Sequence, residues 1–147
     1  TKVSPVVQII LDNEMDLALN TLKPYEEFKK RVVSSRDELL KFIENVQADG
    51  KTIAALGAST KGNVLLQYCG LTDEKITCVG EVNSEKYGCY TPGTWLKIIP
   101  ESELLLLKPD YLLVLPWHFR DFFENIKLFS KMNLVFPLPE LEVVTLP

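Results

Sequence analysis

The chain has 147 residues, 46% of them hydrophobic and 24% charged, a make-up that suits one folded domain with a single sizeable core. Its formal net charge of −4 comes without a clustered Lys/Arg stripe, which argues against nucleic acid or an anionic membrane surface as its main partner. Three cysteines without C-x-x-C spacing and a single histidine argue against a disulfide framework or a metal centre within the chain, and favour reduced thiols in the cytoplasm.

Residues 1–23 read as a connector or helical entry: an apolar run, Val6 to Leu11, gives way to Asp12, Asn13, Glu14 and Asp16. The chain opens on Thr1, as a fragment of a longer polypeptide would, and carries neither a basic-then-apolar leader nor an apolar run of the ~18 residues that a membrane span needs. From Pro24, apolar positions Tyr25, Phe28, Val32, Leu39, Phe42, Ile43 and Val46 recur at three-, four- and seven-residue steps with charges between them, predicting a long amphipathic helix closed by Gly50. At 1.5 Å per residue it would be roughly 38 Å long, enough for part of it to pack outside the domain. Ile53 to Leu56 then predicts a strand running through the Gly57/Gly62-bracketed turn into a helix from Asn63 to Cys69.

That turn is where an anion would sit. A helix N-terminus offers unpaired N–H groups and the positive end of the helix dipole, and Ser59, Thr60 and Lys61 add two hydroxyls and an ammonium. Neither G-x-G-x-x-G nor G-x-x-x-x-G-K-[ST] is met, so a plain strand-to-helix connection with glycines chosen for turn geometry stands beside the ligand-binding reading. Ile76 to Val82 reads as a second strand with Glu81 and Asn83 at its end. Glu81 lies near the ~20-residue offset at which dinucleotide folds place a ribose-binding acid, and a surface carboxylate is the plainer reading. After a turn-rich loop around Pro92-Gly93, Trp95 to Ile99 predicts a third strand and Pro100-Glu101-Ser102-Glu103 a short helix. Asp110 to Pro116 is an apolar run of the kind buried on both faces of a parallel sheet. Trp117 and His118 lead from it into a helix through Phe122, Phe123, Ile126 and Phe129, and Leu134 to Pro137 and Leu141 to Val144 close the sheet. His118, alone of its kind, reads as a hydrogen-bonding group, and no Ser-His-Asp arrangement can use another histidine.

Taken together, Gly57-Ala58-Ser59-Thr60-Lys61-Gly62-Asn63, Glu81-Val82-Asn83 with Lys86 and Gly88, Thr91-Pro92-Gly93-Thr94, Pro109-Asp110-Tyr111 with Leu115-Pro116-Trp117-His118, and Pro137-Leu138-Pro139-Glu140 resemble the C-terminal domain of SAM-dependent sugar C-methyltransferases over about residues 20 to 145. The resemblance implies an α/β fold, a Rossmann-like parallel sheet flanked by helices, over residues 24–147. It also implies a nucleotide-linked keto-sugar held against an upstream methyltransferase domain of the same chain. SAM and zinc would belong to domains upstream, with no cofactor or metal bound by this segment and no catalytic residue within it. The substrate-binding positions it implies are Gly57, Ser59, Thr60, Lys61, Gly62, Asn63, Glu81, Asn83, Lys86, Thr94, Trp117 and His118. The chain departs from the family pattern where Glu81-Val82-Asn83-Ser84 replaces Asp-Arg-Asn-Pro, where Leu96-Lys97 replaces Ile-Pro, and where His118 replaces Asn. A stand-alone Rossmann-like domain for a nucleotide, NAD or CoA, or an interaction domain, is the alternative.

Overall fold

The computed structural model describes residues 4–146. Contacts divide the chain into two compact units, with the division between Ser34 and Ser35. That division falls within a helix. In the first unit α1, Pro5–Asp16, starts on a proline whose missing N–H costs nothing there. It buries none of its residues and leaves Val6, Ile9 and Ile10 in the open. Ala18 turns the chain in the left-handed region, and the Thr21 hydroxyl donates to its carbonyl. The Tyr25 hydroxyl donates to the Leu19 carbonyl at the start of α2, Lys23–Ala48.

The second unit begins inside α2, whose Leu39, Ile43 and Val46 are buried at three- and four-residue spacing. Gly50, with φ at 71°, ends it, and Lys51 N–H reaches back to the Val46 carbonyl. The strands are β1 (Ile53–Leu56), β2 (Val79–Glu81), β3 (Ile98–Pro100), β4 (Tyr111–Val114), β5 (Asn133–Phe136) and β6 (Glu142–Thr145). They form one six-stranded sheet in the order β3-β2-β1-β4-β5-β6. All pairings are parallel but the last, in which β5 and β6 run antiparallel.

Two-residue alternation divides the core. On one face Ile53, Ala55, Leu113 and Val135 pack with α2 and with Leu66 and Cys69 of α3, Thr60–Cys69. On the other, Ala54, Leu56, Leu112, Val114 and Phe136 pack with Leu104 of α4, Glu101–Leu106, and with Phe123 of α5, Arg120–Asn125. A parallel sheet covered on both sides explains why β1 and β4 read as unbroken apolar runs. The α/β fold expected from the sequence is the one observed.

Three local expectations need correction, and the direction of the last strand is a further finding. The second strand is regular only from Val79, although Thr77 N–H already bonds the Ile53 carbonyl. The third starts at Ile98 because Trp95 belongs to a turn: its φ is 58° and its N–H donates to the Thr91 carbonyl. The helix after His118 stops at Asn125, whose side-chain amide donates to the Asp121 carbonyl. Ile126 is then extended, and a separate turn, Lys127–Phe129, buries Phe129. The last strand is antiparallel because the link from Phe136 to Glu142 is far too short for the dozen or so residues a parallel crossover needs.

Both lateral edges of the sheet are occupied or charged. On the outer side of β3, Gly88 N–H donates to the Ile98 carbonyl and Ile98 N–H to the Cys89 carbonyl. At β6, Glu142 is paired with Arg120 at 2.7 Å, and Arg120 also bonds Glu124 at 2.6 Å and lies 5.0 Å from the centre of the Phe136 ring. These two carboxylates hold the Arg120 guanidinium well above its ordinary pKa. No helix among the described residues is long and apolar enough to cross a membrane.

Candidate functional site

The order β2-β1-β4 places a change of winding direction between β1 and β4, where open α/β sheets leave a crevice beyond the strand ends. The turn after β1 lies there. Gly57 has φ at 79°, and a Cβ on it would stand 2.8 Å from the Pro116 ring, so both backbone and space require glycine. Its N–H donates to the Gly80 carbonyl at 2.7 Å. Ser59 caps α3: its hydroxyl accepts from Gly62 N–H at 3.0 Å and its carbonyl from Asn63 N–H at 2.9 Å. That leaves the N–H groups of Thr60 and Lys61 without a protein partner among the described residues, beside the exposed Lys61 side chain. Asn63 Oδ1 is buried without a hydrogen-bond partner. Gly62 is a packing residue, since a Cβ there would meet Leu115 Cβ at 2.6 Å.

Glu81 fixes this turn from below. Only 7% exposed, its Oε2 accepts from Ala58 N–H at 3.0 Å and from the Lys86 ammonium at 3.1 Å, while Oε1 accepts from Val82 N–H at 2.8 Å and Asn83 N–H at 3.0 Å. Lys86 also donates to the Ala58 carbonyl at 3.0 Å. Burial would push the Glu81 carboxyl up, but the bonds from Asn83 N–H, the Lys86 ammonium and Val82 N–H hold it below its ordinary value. The carboxylate that the sequence offered to a ribose therefore spends its acceptors on the loop. Asn83 does local work as well, its Oδ1 accepting from Glu85 N–H.

Gly57, Ser59, Glu81 and Lys86 come together on one cleft of about 410 Å³. Its other walls include Val82, Pro116 and Phe119, then Phe122, Phe123, Ile126 and Phe129, with Glu101 as a further charged residue. Apolar walls carrying a few polar groups are the usual composition of a small-molecule site. Burial first, and then the negative charge of Glu81, raise the Glu101 carboxyl above its ordinary pKa.

The remaining expected residues lie elsewhere. Thr60, Lys61, Gly62 and Asn63 form the first turn of α3, outside the lining of the cleft. Thr94 is buried and its hydroxyl pairs with that of Thr91 at 2.7 Å, bracing the Pro92-Gly93 turn, which the Gln67 amide ties to α3 through the Pro92 carbonyl. Trp117 is half-buried, and the exposed His118 ring lies 4.4 Å from that of Phe119. Sequence reasoning missed Glu101 and the phenylalanines as cleft residues. Their indication was position: Glu101 directly follows β3, and the phenylalanines follow β4, so both leave the strand ends that bear the glycine turn.

No three His, Cys, Asp or Glu side chains gather as a metal site among the described residues. Cys69 and Cys78 are buried, and burial pushes the Cys69 thiol up to about 11, far from a reactive thiolate.

The C-methyltransferase NovU of Streptomyces niveus is 31% identical over 147 residues, a match covering 98% of this chain and 35% of that protein. The chain spans about a third of the length of that relative. The model of one family matches residues 1–139, and with the ordered motifs that line the strand ends it establishes that the chain belongs to the C-methyltransferase C-terminal domain family.

Proposed function

We propose that this chain is the substrate-binding lobe of a cytoplasmic SAM-dependent C-methyltransferase and holds a nucleotide-linked keto-sugar. SAM and zinc are assigned to the domains that the resemblance places upstream. The observation that carries the reading is the cleft at the strand ends, set in a domain of a C-methyltransferase family beside a helix start with free N–H groups at Thr60 and Lys61. Those N–H groups and the Lys61 ammonium take the diphosphate, as helix N-termini do. The lobe contributes by fixing the substrate against a methyl donor held elsewhere, which lowers the barrier without this chain touching a reacting atom.

Calorimetric titration with a nucleotide sugar, SAM, NAD and CoA tests the reading. The nucleotide sugar is expected to bind, shifting the amide resonances of Thr60 to Asn63. SAM, a sulfonium cation without a phosphate, is expected not to bind beside Lys61. Tighter binding of NAD or CoA than of the nucleotide sugar would overturn the assignment. Lys61→Ala removes a charge-assisted hydrogen bond worth about 1.5–3 kcal/mol and should weaken nucleotide-sugar binding about tenfold or more. Unchanged affinity in this variant would remove the phosphate site from the loop.

A further inference from the structure

The charges of the cleft divide it. Glu81 and Glu101 face it with Lys86 as the one cation among its lining residues, and Lys86 is already paired with Glu81 at 3.1 Å. A diphosphate entering this space would meet an excess of negative charge, whereas a neutral ring bearing N–H groups would meet an acceptor. Glu101 is available for that role. Part-buried at the start of α4, its carboxylate makes no hydrogen bond or ion pair to any described residue. Four phenylalanines line the same cleft: Phe123 and Phe129 are buried in the core, while Phe119 and Phe122 are each 58% exposed. Exposed aromatic rings beside an unpartnered carboxyl suit a flat heterocycle with a polar edge.

We propose that this cleft takes the heterocyclic base of the nucleotide, with Phe119 and Phe122 packing on the ring and Glu101 accepting a hydrogen bond from a base N–H. The inference rests on the nucleotide-sugar reading and gives the ligand a direction: diphosphate toward Thr60 and Lys61, base toward Glu101. Glu101 is then a specificity residue, because an acceptor left without a donor disfavours a base whose edge offers none.

The test uses calorimetry and amide shift mapping on the wild-type protein, Glu101→Gln, Phe122→Ala and Lys61→Ala, each checked for folding by circular dichroism. The probes are UDP, dTDP, CDP, ADP and GDP, the matching nucleosides, and inorganic pyrophosphate. One diphosphate is expected to be preferred. Its nucleoside should shift the amides of Glu101 and of Phe119 to Phe123, and pyrophosphate those of Thr60 to Asn63. Glu101→Gln should weaken the preferred diphosphate about tenfold or more while leaving pyrophosphate unaffected, and Phe122→Ala should weaken the nucleoside. If UDP or dTDP is preferred, its N3-methyl form should bind the wild type about tenfold less well and Glu101→Gln no worse than the parent does. Nucleotide binding that is sensitive to Lys61→Ala but indifferent to both cleft variants would overturn this inference and leave the nucleotide-sugar reading standing. Absence of binding by every nucleotide and by the nucleotide sugar would overturn both.

Discussion

Replacing Gly62 with alanine is expected to destabilise the protein, although the same change in most helix interiors would stabilise it. Alanine should gain about 1 kcal/mol in helix propensity. The new Cβ, however, would stand 2.6 Å from Leu115 Cβ and 3.0 Å from Ser59 Oγ, and Leu115 is fully buried just beyond β4 with no room to withdraw. Overpacking of this kind costs about 1–3 kcal/mol and sometimes more, so after the propensity gain the net loss for alanine should reach about 2 kcal/mol, and the larger valine should cost more. Urea denaturation measures it as a lowered midpoint at unchanged slope. The clash also pushes the start of α3 away from the strand ends, so under the proposed function nucleotide-sugar affinity should fall with stability. An alanine variant as stable as the wild type would mean that Gly62 serves the loop and not the packing.

Glu81→Gln should cost about 1–3 kcal/mol, the range for leaving buried N–H donors short of an acceptor, since the Lys86 ammonium of the pair is 41% exposed and its charge is screened by water. Glutamine keeps one acceptor oxygen where the carboxylate has two, each receiving two donors, and it leaves Lys86 without its counter-charge. Hydrogen exchange should report this locally as faster exchange at Ala58, Val82 and Asn83. The pH profile supplies a second check. Since the folded carboxyl lies below its ordinary 4.5, its stabilising contribution is complete above that value and fades as pH falls through the lower, folded one. Glu101 opposes this trend, because its pKa is raised and its protonation on acidification favours the folded state. Glu81→Gln should therefore flatten the acid limb of the stability curve below about pH 4.5. An acid limb as steep as the wild type's would assign acid sensitivity to other carboxylates.

The parts of the fold legible in the sequence are those where burial leaves a compositional trace. Ile53 to Leu56 and Tyr111 to Val114 are covered on both faces, so their side chains are uniformly apolar, and α2 from Leu39 onward carries the spacing of a helix with one dry face. Direction and interruption leave less trace. Nothing in Glu142 to Thr145 encodes that the strand runs backwards; the short link before it does. Trp95, strand-like by propensity, is instead 73% exposed in a turn closed by the paired Thr91 and Thr94 hydroxyls, an arrangement visible only once both are in place. The candidate site is legible in the sequence as a loop and not as a cleft. The glycines, Ser59 and Lys61 lie within one short stretch, whereas Glu101 and Phe122 reach that edge only because β3 and β4 end beside β1 and β2.

The treatment of the sheet edges bears on how the molecule behaves when crowded. An open strand edge templates the addition of another chain, and a flat apolar one seeds fibrils. Here the backbone of Gly88 and Cys89 already occupies the outer side of β3, and Pro100 has no N–H to offer an incoming strand. At the opposite margin β6 carries the charged Glu142, paired with Arg120, and a charge on an edge strand disfavours the addition of another. Polymerisation by strand addition is thus blocked at one margin by hydrogen bonds already made and opposed at the other by charge, and the sheet ends at six strands.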